Sequence, residues 1–154
     1  MTMLRILIIE DDKIKIEKLA LFFEGDDLTI KESYHSGLKE LNSFFSNYDF
    51  LILDMSIPLW DKGNTDFGGN HEQFGGERIL REMKRRKKEL PTLLVTMFDI
   101  FPVEGGNLTF GELNQYLMTE FPNFYLGAVF YNASEDDWKQ EIKNLIQIIS
   151  NKND

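Results

Sequence analysis

The stretch Phe50-Leu51-Ile52-Leu53-Asp54-Met55-Ser56-Ile57-Pro58 constrains the fold most. Four apolar residues run straight into a carboxylate. A continuous apolar run of this length reads as a strand buried on both faces, as in the middle of a parallel sheet. Pro58 and the glycine-rich stretch after it leave too little room for a helix. Asp54 therefore stands where a central strand stops and its loop begins. In open α/β sheets that edge is where ligands and chemistry collect. A carboxylate there is costly unless something charged faces it.

The same logic finds the other strands. Leu4 to Ile9 is apolar but for Arg5 and ends in Glu10-Asp11-Asp12. Leu28 to Ser33 alternates and reads as a shorter strand nearer an edge. Thr92 to Val95, closed by Thr96, and Phe124 to Tyr131 complete five. Helical spacing separates them: Ile16, Leu19, Ala20 and Phe23 after Lys13, with Gly25 as a stop; Leu38, Leu41, Phe44 and Phe45 after a Ser36 cap; and Ile79, Leu80 and Met83 within Glu77 to Lys88. Thr109 and Glu112 have capping-box spacing ahead of Leu113, Tyr116 and Leu117. Trp138, Ile142, Leu145, Ile146 and Ile149 form an apolar stripe behind a start at Ser134 to Asp137. Asn151 to Asp154 read as a frayed end. Strands alternating with helices predict a parallel sheet with right-handed crossovers and helices on both faces. Two connections are long, Trp60 to Gly76, with five glycines, and Met97 to Leu108; long loops in compact domains are often functional.

The 154 residues suit one domain with a sizeable core, and no linker or repeat divides them. A net charge of -9 disfavours bulk attachment to nucleic acid or anionic membrane. The basic run Lys84 to Lys88 reads as a solvent-facing helix C-terminus. The chain has no cysteine, which excludes disulfides, thiolate metal sites and a cysteine nucleophile and fits a reducing interior. No secretory leader and no apolar run of about 18 residues is visible, so a cytoplasmic protein is expected.

Laid out this way, the sequence resembles the receiver domain of two-component response regulators over roughly residues 4–149. Glu10-Asp11-Asp12 resembles the first-strand acidic motif, Leu53-Asp54-Met55-Ser56-Ile57-Pro58 the phospho-acceptor strand end, and Val95-Thr96 the fourth-strand end with its switch hydroxyl. The resemblance implies a flavodoxin-like doubly wound sheet of order 2-1-3-4-5 in a single stand-alone domain, 1–154, with no output domain. It implies Asp54 as phospho-acceptor and Thr96 as the hydroxyl that bonds a phosphoryl oxygen. It implies Mg²⁺ held by Glu10, Asp11, Asp54 and the Ser56 backbone carbonyl, a hard ion among hard oxygens that relieves carboxylate crowding. The implied partners are a histidine kinase or phosphotransfer protein and an output protein, without nucleic acid or membrane. Such a chain is not an enzyme beyond phosphorylation and dephosphorylation of Asp54.

One departure stands out. The family places a Lys at the end of strand five, whereas Ala128 to Ser134 contains no basic residue. Tyr131 or Asn132 could donate a hydrogen bond there, but not a charge-assisted one, which is about twice as strong. A second reading follows, that of a degenerate receiver acting as a phosphorylation-independent interaction module through its enlarged loops. A third, a metal-dependent hydrolase on the same fold, lacks a convincing general acid or base.

Overall fold

The computed structural model describes residues 3–61 and 71–152. Gly63, Phe67, Gly68 and Gly69 of the glycine-rich connection lie outside the described residues. The elements are β1 (Arg5–Ile9), α1 (Lys13–Phe22), β2 (Asp27–Lys31), α2 (Tyr34–Phe44), β3 (Phe50–Leu53), β4 (Ile57–Pro58), β5 (His71–Glu72), α3 (Gly75–Arg86), β6 (Thr92–Thr96), β7 (Ile100–Val103), β8 (Gly106–Thr109), α4 (Phe110–Glu120), β9 (Tyr125–Phe130) and α5 (Asp137–Lys152).

The main sheet is parallel throughout, in the order β2-β1-β3-β6-β9. Counted among themselves these five strands run 2-1-3-4-5, the doubly wound arrangement the sequence implies. The two faces of each central strand enter separate cores, which is why its sequence is apolar throughout instead of alternating. Leu7, Ile9, Leu51, Leu53 and Leu94 pack with α2, α3 and α4. Ile6, Ile8, Phe50, Ile52, Leu93 and Val95 pack with α1 and α5. None of the described helices is long and apolar enough to cross a membrane.

Several local expectations are corrected. Ser33, not Ser36, caps α2: its hydroxyl accepts from the Ser36 amide at 3.1 Å, and Ser36 completes a capping box as the third helical residue. Tyr116 faces partly outward, its helix burying Leu113 and Leu117 instead. Gly75 and Gly76 belong to α3, not to the loop before it. The last helix continues through Asn151 to Lys152. The second long connection is an ordered antiparallel hairpin, β7–β8, turned by Glu104 and Gly105, the latter at φ 86°. The first carries a two-residue antiparallel pair, Ile57 with Glu72 and Pro58 with His71.

Candidate functional site

Strand register brings the acidic ends together. Ile9 pairs with Leu53 and Leu53 with Leu94. One residue further along, Glu10 and Asp54 leave the sheet side by side, with Val95 and Thr96 on the next strand. The Asp54 amide donates to the Ile9 carbonyl at 3.3 Å, and the Tyr131 amide to the Thr96 carbonyl at 2.8 Å, so the end of β9 is tied to the same edge. Glu10 and Asp54 are both buried, 2% and 4% exposed. Two adjacent buried carboxylates repel and are poorly solvated, so a counter-charge is required.

That counter-charge is Lys15, on α1. It is only 1% exposed. Its Nζ ion-pairs with Glu10 Oε1, lies 3.4 Å from Asp54 Oδ2 and donates to the Val95 carbonyl. The local fold fixes it there. Asp12 caps α1, accepting from the Ile14 and Lys15 amides at 3.0 and 3.1 Å, which starts the helix directly after the acidic triplet. Lys15 then stands four residues before Leu19, on the helix face that meets the sheet. Burial alone lowers a lysine pKa; the charges of Asp54 and Glu10 outweigh it and raise that of Lys15. Burial is also the largest influence on Glu10 and pushes its carboxyl above the ordinary range. Lys15 opposes that shift, and the Asp54 charge adds to it.

The remaining oxygens are committed to backbone amides. Glu10 Oε2 accepts from Asp11 N at 3.0 Å and Asp12 N at 3.2 Å; Asp54 Oδ1 accepts from Met55 N at 2.7 Å. The loop after Asp54 is pressed against α3, where the Gly76 amide donates to the Met55 carbonyl at 2.8 Å. A Cβ on Gly76 would stand 2.4 Å from the Asp54 carbonyl oxygen, so only glycine permits this approach. Thr96 is fully buried, and its hydroxyl accepts from the Phe98 amide at 3.2 Å.

The chain's likeness to known proteins agrees with this geometry. No family profile matches the sequence. It is 29% identical over 147 residues to the uncharacterized protein y4jR of Sinorhizobium fredii, covering 92% of this chain and 95% of that one. It is 26% identical over 142 residues to the Detocs response regulatory protein DtcB of Enterobacter cloacae, covering 88% and 94%. Among solved structures, a response regulator receiver domain protein of Clostridium thermocellum superposes with a TM-score of 0.65 at 18% identity, covering 98% of this chain and 97% of that one. A CheY-like receiver of Methanospirillum hungatei gives 0.63 at 14%, covering 99% and 98%. The fold is that of a response regulator receiver domain.

In this receiver fold the site residues predicted from sequence are brought together unevenly. Glu10 and Asp54 meet at Lys15, and Thr96 lies on the neighbouring strand end. Asp11 lines a cavity of about 370 Å³ with Lys13, Glu32, Pro58 and Asp61. Ser56 lines a different hollow, with Gln73, Phe98 and residues of β7. Among the described residues, no three His, Cys, Asp or Glu side chains stand close enough to share a metal ion. The donor chemistry of Glu10, Asp11, Asp54 and the Ser56 carbonyl suits Mg²⁺. The arrangement does not fit a resident dication, because an ammonium already occupies the space between two of the carboxylates.

Sequence reasoning missed Lys15. Apolar periodicity passes over a lysine, although its position four residues before Leu19 placed it on the buried stripe. At the end of β9, Tyr131 is buried. Its ring lies 5.9 Å from Lys15 Nζ and packs against Trp138, with centroids 5.1 Å apart. Asn132, the other residue considered there, accepts from Ser134 at 3.0 Å within its own turn. Among the described residues Lys15, not Tyr131 or Asn132, places a donor beside Asp54.

Proposed function

We propose that the chain is a response regulator receiver that accepts a phosphoryl group on Asp54 and signals through protein contact. The observation that carries this reading is the placement of Asp54: a buried carboxylate at the C-terminal end of the central strand, its Oδ2 facing an ammonium and a hydroxyl-bearing strand end beside it. An oxygen of Asp54 attacks the donor's phosphorus, the donor's bond to phosphorus breaks, and the leaving group departs with that electron pair and takes up a proton. The product is an acyl phosphate. The donor is a histidine kinase or phosphotransfer protein in the cytoplasm, and an output protein reads the result. Mg²⁺ at Glu10, Asp11, Asp54 and the Ser56 carbonyl is compatible with this scheme only if Lys15 first gives up a carboxylate.

The readout starts at Thr96. Its hydroxyl accepts from Phe98 N, the residue that leads into the β7–β8 hairpin. A hydroxyl that turns to donate to a phosphoryl oxygen leaves that bond, and the hairpin entrance is released. Phe98, Ile100 and Val103 are exposed on this hairpin, so its movement changes an apolar surface.

The test is incubation with a small phosphodonor such as acetyl phosphate, with and without Mg²⁺, followed by intact mass measurement. Wild type is expected to gain one phosphoryl group and Asp54→Asn none. No gain in wild type under either condition removes the phosphorylation reading. A phosphorylation-independent interaction module then takes its place; the exposed apolar side chains of the hairpin favour that second reading.

A further inference from the structure

We infer that Lys15 is the residue that holds the transferred phosphoryl group on Asp54, a catalytic cation delivered by the first helix. The inference rests on the proposal that Asp54 is phosphorylated.

Lysines are almost never fully buried unless paired. At this position an apolar side chain would cover the sheet without desolvating a charge. The chain nevertheless keeps an ammonium there and aims it at Asp54. Glu10 Oε1 and the Val95 carbonyl hold the Nζ from the other sides, so the group is pre-positioned. Asp54 Oδ1 is tied to the Met55 amide, which makes Oδ2, the oxygen facing Lys15 at 3.4 Å, the one placed to form the new bond to phosphorus.

Charge bookkeeping requires such a group. The carboxylate carries one negative charge; the acyl phosphate carries more, in a pocket that already contains Glu10. Among the described residues, Lys15 is the cation paired with Asp54. Its ammonium has three donors and can exchange the Asp54 carboxylate for a phosphoryl oxygen without leaving Glu10. Tyr131 stands over the same ammonium at 5.9 Å and contributes an aromatic face but no charge. The positive charge and the aromatic ring are thus carried by α1 and the end of β9, respectively, and moving the charge from the first position to the second is a direct test.

Labelling rates with acetyl phosphate are to be compared for wild type, Lys15→Met, Lys15→Arg and the relocation variant Lys15→Met/Tyr131→Lys, each checked for folding by near-ultraviolet circular dichroism. A lost charged hydrogen bond predicts a rate on the order of ten- to a hundredfold lower in Lys15→Met. Lys15→Arg is expected to be intermediate, and relocation to recover part of the loss. Equal rates in wild type and Lys15→Met overturn the role of Lys15 while leaving Asp54 as acceptor. No labelling of wild type overturns both. Should Lys15→Met fail to fold, the wild-type protein decides: with ¹⁵N-labelled lysine, the Lys15 Nζ resonance is expected to shift when beryllofluoride is added. A resonance that stays in place overturns the inference.

Discussion

Replacing Lys15 by Met keeps most of the side-chain volume, so packing changes little; the loss is electrostatic. Glu10 and Asp54 remain, 2% and 4% exposed, with no ammonium between them. One escape is for a carboxyl to take up a proton, and Glu10, already pushed up by burial, is the group to do so. Removing one partner of a buried ion pair typically costs roughly 3–5 kcal/mol, because the remaining charge stays buried without it. Urea unfolding at pH 7 should show a loss of about this size, from a total on the order of 5–15 kcal/mol. In the variant the folded Glu10 binds its proton more tightly than the unfolded chain does, so stability is regained as pH falls toward the unfolded pKa and lost as pH rises. Glu10 is raised in the wild type too, so both proteins gain stability toward pH 5.5 and the variant gains somewhat more, which narrows the deficit. Adding Glu10→Gln to Lys15→Met should restore part of the loss, a non-additivity that marks direct coupling. A loss below about 1 kcal/mol, or one that ignores both pH and Glu10→Gln, would refute this account of the pocket.

Two further perturbations probe its walls. Gly76→Ala sets a Cβ 2.4 Å from the Asp54 carbonyl oxygen; urea unfolding should show about 1–3 kcal/mol of destabilisation, from overpacking against backbone that cannot yield cheaply, and no change in midpoint would contradict the contact. Thr96→Val removes the acceptor of the Phe98 amide; hydrogen exchange at Phe98 should accelerate and stability drop by about 1 kcal/mol, whereas unchanged protection would detach the hairpin from the Thr96 hydroxyl.

The sheet was legible because burial on both faces leaves uninterrupted apolar runs; an acid after one such run is common, and Asp54 stood out only together with Glu10-Asp11 and Thr96 at other strand ends. What escaped the sequence had weaker physical signals. Lys15 breaks the apolar pattern that defines its helix face, and only the absence of a cation in Ala128 to Ser134 hinted that one must come from elsewhere. Ser33 and Ser36 are the two partners of one capping box, so either reads as the cap from the sequence. Gly75 and Gly76 read as loop residues because glycine disfavours helix; tight approach to Asp54 and Met55 overrides that preference. The β7–β8 hairpin hides because Pro102 and the short strands dilute its alternation, although Glu104-Gly105 marks its turn.

The central claim is that Asp54, and no other carboxylate, becomes an acyl phosphate. Its most direct test is borohydride trapping after exposure to acetyl phosphate, with peptide mass spectrometry to locate the residue. The account predicts homoserine at position 54 in wild type. An unmodified Asp54, or a reduction product at Glu10 or Asp11 instead, would contradict it.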